Sequence, residues 1–165
     1  NGVAAHVSTA NPVCAALNSD IQRAAAAVGQ PIHLNNSYAC VEGPRLGTRA
    51  ESFFLRDAAN CDLVGMTNLP EAFLAREAQI AYSSLCLITD YDCWMDDPSQ
   101  HVSLDKFFEV YSDTLARAIK VLKPLVASPF TETPSHIRQA LQRALLTPRE
   151  QLSRAQQQWL EVLER

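Results

Sequence analysis

The apolar positions of this chain fall into two rhythms. One is helical. Leu104, Phe107, Phe108, Tyr111, Leu115, Ala118 and Leu122 recur at steps of three and four, which is the spacing of one buried helix face. Ser103 stands in front of them as a cap. Asn11-Pro12 supplies a cap followed by proline at the first helical position, which predicts a helix to about residue 28 with Gly29 as its stop. Thr48-Arg49-Ala50-Glu51 reads as a capping box, and the short helix it opens would bury Ala50, Phe53, Phe54 and Ala58. Asn68-Leu69-Pro70-Glu71 opens another helix through about Ala78. Thr133-Pro134 and Thr147-Pro148-Arg149-Glu150 begin two final helices. The last is charged and amphipathic, with Leu152, Ala155, Trp159 and Leu163 as its buried stripe. The second rhythm is extended: residues 37–41, 62–66 and 80–89 read as strands. Strands alternating with helices predict an α/β layered domain.

Length and composition narrow the classes. A chain of 165 residues fits one domain, here residues 1–165, with 148–165 as an extra C-terminal helix. The net charge is −4 with no basic run, which argues against nucleic acid as a partner. No stretch approaches the roughly 20 apolar residues of a membrane span. Among five cysteines there is no Cys-x-x-Cys pair. Cys14, Cys40, Cys61 and Cys86 sit in apolar company and read as reduced core residues of a cytoplasmic protein. The histidines lie far apart, so no metal is expected. Asn35-Asn36-Ser37 matches a glycosylation sequon and reads as a turn. The start at Asn1-Gly2-Val3 is not a targeting signal and reads as the interior of a longer chain.

The segment with most chemical content is Thr89-Asp90-Tyr91-Asp92-Cys93-Trp94, at the end of the apolar run 80–88. If the extended geometry persists, Asp90 and Asp92 point the same way and converge on one ligand. A carboxyl at the mouth of an apolar strand is also where burial keeps a proton in place. A protonated Asp gives one hydrogen bond and accepts another, which suits the N7 and 6-amino edge of adenine. The alternative is an acidic loop that contains a helix cap.

Three ordered blocks carry a resemblance. They are Glu42-Gly43-Pro44-Arg45 followed by Thr48-Arg49-Ala50-Glu51, then Gly65-Met66-Thr67-Asn68-Leu69-Pro70-Glu71, then Leu87-Ile88-Thr89-Asp90-Tyr91-Asp92-Cys93-Trp94. In that order and spacing the chain resembles the C-terminal half of the methylthioadenosine phosphorylases, of the trimeric purine nucleoside phosphorylase family. The resemblance runs from about residue 6 to about residue 149. It implies a phosphorylase-type layered α/β domain, with a central mixed sheet flanked by helices, of which this is the C-terminal part.

The resemblance also implies roles. Asp90 and Asp92 would recognise the adenine edge, with Asp90 as the catalytic acid or donor to N7. Family members that cleave 6-oxopurine nucleosides carry Asn where Asp90 stands and Glu where Gly47 stands, so both residues here point to a 6-aminopurine. Leu46 replaces a base-stacking Phe, which keeps an apolar face without the ring. Val64 matches a base contact and Met66 the residue under the ribose; ordinary core packing is the other reading of Met66. Thr67 matches a phosphate contact, or else simply caps a strand end. Leu104 stands where nucleoside phosphorylases place a His against the 5′-hydroxyl. With Phe107 and Phe108 it implies an apolar 5′ pocket suited to a methylthio group, and the same residues also read as the core stripe of their helix. Leu145 or Leu146 would reach a neighbouring subunit's site in a homotrimer. The implied reaction is phosphorolysis of 5′-methylthioadenosine to adenine and 5-methylthioribose 1-phosphate, with phosphate as co-substrate and no cofactor. Most phosphate donors would come from an upstream segment. Arg45 and Arg49 read equally as partners of Glu42 or Glu51 in a buried ion pair. The alternatives are a phosphorylase acting on adenosine or methylthioinosine, or a non-catalytic nucleoside-binding relative that lacks the phosphate half.

Overall fold

The computed structural model describes residues 2–95 and 104–164. They fall into two compact units. One is built from Asn1–Asp20, Pro70–Ser84 and Phe130–Arg165, the other from Ile21–Leu69 and Leu85–Pro129. No described helix is long and apolar enough to cross a membrane.

Helix α1 (Ala15–Ala27) begins later than Asn11-Pro12 predicts. The Cys14 N–H donates to Tyr82 O at 2.7 Å, and the first helical bond runs from Asn18 N to Cys14 O at 3.0 Å. The cap dipeptide is thereby left outside. The predicted stop is found: Gly29 sits at φ 64°, and the Gln30 N–H closes onto Ala25 O at 2.9 Å. Such a left-handed closing turn costs glycine no Cβ clash.

In the second unit, β1 (Tyr38–Cys40) and β2 (Leu63–Gly65) pair in parallel, Tyr38 opposite Leu63 and Cys40 opposite Gly65. Ser37 fastens the start of this pair. Its N–H and hydroxyl both donate to Asp62 Oδ2, at 2.7 and 3.1 Å. The third predicted strand, 80–89, is not one. An apolar run becomes a strand only when its backbone groups meet a neighbouring ladder, and here Tyr82 O takes the Cys14 N–H instead. Helix α2 (Arg49–Phe53) opens on the predicted Thr48–Glu51 capping box and then widens into a π turn (Phe54–Ala58). Its expected buried face is exposed. Phe54 is 62% exposed and Phe53 40%, Ala50 and Ala58 are exposed, and Ser52 is the buried residue of α2.

Helix α4 (Leu104–Ala127) is long, as predicted, but is turned on its axis. Its inward line is Phe107, Val110, Thr114, Ala118, Val121 and Leu125, while Phe108, Tyr111, Leu115 and Leu122 face outward. Apolar residues occupy two adjoining faces, and periodicity does not say which one is covered. Ser103, its expected cap, lies outside the described residues, as does the Leu104 side chain.

The first unit contains α3 (Glu71–Glu77), α5 (Ser135–Arg138), a 3-10 turn (Arg149–Gln151) and α6 (Arg154–Leu163). Its core is Leu141, Leu152 and Leu160, with Val3, Ala5, Val7, Leu145 and Leu163 packed against it. The alternation of Val3, Ala5 and Val7 is that of an extended strand turning one side inward. Ala5 bridges antiparallel to Leu145. Thr147 was expected to start a helix, but its hydroxyl accepts from Ala4 N at 2.9 Å. The helix start falls instead at Ser153, whose side chain and Gln156 form the capping box. The buried position of α6 is Leu160, 1% exposed, whereas Trp159 from the predicted stripe is 44% exposed and Ala155 is also exposed. Buried Gln79 joins two parts of this unit: its Oε1 accepts from Leu141 N at 2.9 Å and its Nε2 donates to Leu163 O. All cysteines are free thiols, but only Cys14 is buried; Cys40, Cys61 and Cys86 are half-buried.

Candidate active site

Every residue proposed for the site falls in the second unit. The parallel pair explains part of the grouping. After Cys40 and Gly65 the pairing continues for one more bond, Val41 N to Gly65 O at 2.9 Å. Glu42-Gly43-Pro44 and Met66-Thr67 then leave the same strand-end edge, the edge where α/β sheets bind ligands. Two glycines permit close packing there. A Cβ on Gly43 would stand 2.6 Å from the Met66 Sδ, so the thioether lies directly on that backbone. A Cβ on Gly65 would collide with the Tyr38 phenol. Val64 is 43% exposed, Met66 36%, and Thr67 is exposed. Met66 is therefore not an ordinary core residue.

An ion pair helps to hold the loop after β1. Arg45 donates to Glu51 Oε2 at 2.9 Å and to Oε1 at 2.5 Å. The partner is one of those expected from the sequence, but the pair is exposed rather than buried, at 63% and 44% for the two side chains. Glu51 Oε2 also accepts from Thr48 N at 2.7 Å. The Arg45 guanidinium, then the Thr48 contacts, hold the Glu51 carboxyl down at about 2, against an ordinary 4.5. A depressed folded value means that the contribution is fully present above pH 4.5 and is lost as pH falls toward 2. Solvent screening keeps it small. Glu51→Gln is expected to flatten the acid limb of a stability–pH curve across that window. An unchanged limb in urea unfolding would refute the linkage. Leu46, next to Arg45, is 84% exposed.

The acidic segment departs from its predicted geometry. Asp92 lies at φ 61°, so the backbone turns and does not remain extended. The two carboxylates are not parallel neighbours on one strand side. Asp90 Oδ1 accepts from Asp92 N at 2.9 Å and its Oδ2 accepts from Thr89 Oγ1 at 2.8 Å. Asp92 Oδ1 accepts from Cys93 N at 2.7 Å. Asp90 is exposed, so the carboxyl does not sit in the apolar strand mouth expected from the sequence. A carboxylate offers about four acceptor positions, so these local bonds leave Asp90 able to meet a ligand. The Cys93 thiol donates to Gly47 O at 3.7 Å, which brings this turn to the loop after β1. Loss of hydration, then the Asp92 carboxylate beside it, pushes the thiol up and keeps the donor proton in place.

Phe107 is half-buried. Its ring stacks on Tyr111 at 6.2 Å and meets Phe108 edge-on at 5.5 Å. Among the described residues this aromatic group is made of α4 side chains, and Phe108 is 62% exposed.

One participant had no signal in the sequence. Arg56, in the π turn, lies over the Trp94 ring at 4.6 Å and over the Phe53 ring at 5.1 Å. Nothing in the spacing of Arg56 and Trp94 pairs them.

The chain is similar in sequence and fold to known proteins. Residues 1–126 match the family described as the phosphorylase superfamily. The S-methyl-5′-thioadenosine phosphorylase of Geobacter sulfurreducens is 40% identical over 147 residues, covering 89% of this chain and 51% of the relative. That of Thermosynechococcus vestitus is 37% identical, covering 99% and 57%. Among solved structures, a methylthioadenosine phosphorylase from an antarctic soil metagenomic library superposes with a TM-score of 0.81 at 39% identity, over 99% of this chain and 57% of that one. The Schistosoma mansoni methylthioadenosine phosphorylase in complex with adenine gives 0.76 at 26% identity, over 87% and 57%. The chain spans about half the length of the curated relatives it matches. The match across residues 1–126 takes in both strands and the Asp90 turn, and with it the chain belongs to the phosphorylase superfamily.

Proposed function

We propose that this chain forms the nucleoside-recognising part of a phosphorylase that converts 5′-methylthioadenosine and phosphate into adenine and 5-methylthioribose 1-phosphate. The observation that carries the reading is the Asp90 carboxylate, exposed at a turn and with acceptor capacity left after its two local bonds. An acceptor suits the 6-amino group, and a proton shared with N7 makes adenine a better leaving group. Asp92, Val64 and Leu46 complete the base contacts in this reading, and Met66 lies under the ribose. Thr67 is one phosphate ligand, and phosphate captures the cationic sugar. Leu104 and Phe107 line the 5′ end. The names of the relatives support the substrate. No cofactor or metal takes part, and free thiols fit a cytoplasmic setting.

A cyclic homotrimer belongs to the same reading. Leu145 packs against its own unit's core, whereas Leu146 is 57% exposed, which supports giving Leu146 the role of reaching a neighbouring site. The test is steady-state kinetics of the native protein with methylthioadenosine, adenosine, methylthioinosine and inosine, each with and without phosphate. We expect phosphate-dependent cleavage with methylthioadenosine preferred. A preference for either 6-oxopurine, or cleavage without phosphate, would rule the reading out.

A further inference from the structure

The 89–95 segment is not held in place by its own hydrogen bonds alone. Asp92 occupies the left-handed region at φ 61°, which Asp adopts as a single residue because its short side chain bonds locally, here with Cys93 N. Two ties from outside the segment join the turn to other parts of the second unit. One is the Cys93 thiol on Gly47 O at 3.7 Å. The other is Arg56, whose guanidinium lies 4.6 Å from the centre of the Trp94 ring. Arg56 is itself oriented, since Asp57 accepts from its Nε at 2.6 Å and from Nη2 at 3.0 Å. Its planar face is thereby presented to the indole, the better of the aromatic partners for a cation. The π turn (Phe54–Ala58) that carries Arg56 is a rare conformation of the kind found at functional sites.

We propose that Arg56 is a positioning residue: by clamping Trp94 it fixes the turn at 90–94, and with it the direction in which Asp90 and Asp92 face the base. The proposal deepens the reading of Asp90 given above and rests on it. Arg56 acts through Trp94. Its removal therefore degrades discrimination between bases more than it degrades catalysis of every nucleoside alike.

The test uses the native protein with Trp159→Phe, which leaves Trp94 as the one tryptophan of this chain, since the sequence holds two. Into it go Arg56→Met, which keeps the stem and removes the charge, and Arg56→Lys. Two quantities are read: acrylamide quenching of Trp94 emission, and the ratio of kcat/KM for methylthioadenosine to that for methylthioinosine. Arg56→Met is expected to raise quenching and to lower the ratio about threefold to tenfold, the range of a partly exposed cation–π contact. Arg56→Lys is expected to restore most of both. Equal loss on both nucleosides, with the ratio unchanged, means a purely structural role and overturns the proposal. Unchanged quenching overturns it as well. If Arg56→Met does not fold, Trp94→Leu removes the other half of the contact and must lower the same ratio. If the unsubstituted protein cleaves neither nucleoside, it is the functional reading that fails. The quenching arm then decides the clamp alone, with a rise supporting it and no change overturning it.

Discussion

Asp90→Asn is expected to lower kcat/KM for methylthioadenosine by about 10²–10⁴-fold, the usual span for removing a positioned acid or base, and to raise the relative use of methylthioinosine. The geometry explains why one atom does both. The Asp90 oxygens accept from Thr89 Oγ1 and Asp92 N. An amide has only one acceptor oxygen for those two donors, and its NH₂ cannot accept from the other. If the oxygen stays with the local N–H, the NH₂ is turned toward the ligand. A 6-oxo group welcomes a donor, whereas a 6-amino group meets it donor to donor. Steady-state kinetics on the two nucleosides measures the change. Discrimination equal to that of the parent protein would remove Asp90 from base recognition.

Leu160→Ala should cost about 2–5 kcal/mol of stability, the range for truncating a large aliphatic in a packed interior. Leu160 is 1% exposed and shares its cluster with Leu141 and Leu152. Val162→Ala, two positions on and 61% exposed, should change stability by no more than about 0.5 kcal/mol. Urea unfolding of the two variants reads the contrast. A Leu160→Ala midpoint close to that of Val162→Ala would show that α6 does not seal the cluster.

That contrast also marks what the amino-acid order reveals. The helix content, the Thr48–Glu51 box, the Gly29 stop and the strands at 37–41 and 62–66 all rest on local chemistry, and all are present. Family membership was legible from the blocks around Gly43, Met66 and Asp90, because three motifs in one order and at one spacing are specific where each alone is weak. Orientation was not legible. Trp159 and Leu160 are neighbours of similar apolarity, and only a third body, the Leu141–Leu152 surface, decides which turns inward. The same holds for Leu122 and Val121 on α4. The run at 80–89 is apolar enough for a strand, but a strand is a relation between two segments, and one segment cannot announce its partner. Thr147 failed as a helix start for a similar reason. Its hydroxyl accepts from a distant donor, Ala4 N, while the Ser153-Arg154-Ala155-Gln156 box opens the last helix by the same capping rule. At the site the miss was backbone sign: nothing in Asp90-Tyr91-Asp92 announces that Asp92 adopts a positive φ.

The bridge between Ala5 and Leu145 has a consequence for the order of assembly. The first unit draws on residues near the start, the middle and the end of the chain. A ribosome adds about 5–20 residues per second, so Val3, Ala5 and Val7 wait on the order of ten seconds for Leu141 and Leu145 to be made. Through that interval an alternating apolar stretch stands without its cover, open to chaperones and to the same stretch on other nascent chains. The second unit closes sooner, since its final stretch ends at Pro129. A slow stretch of translation anywhere between residues 7 and 145, the Asp90 turn included, therefore lengthens the time for which the chain remains vulnerable.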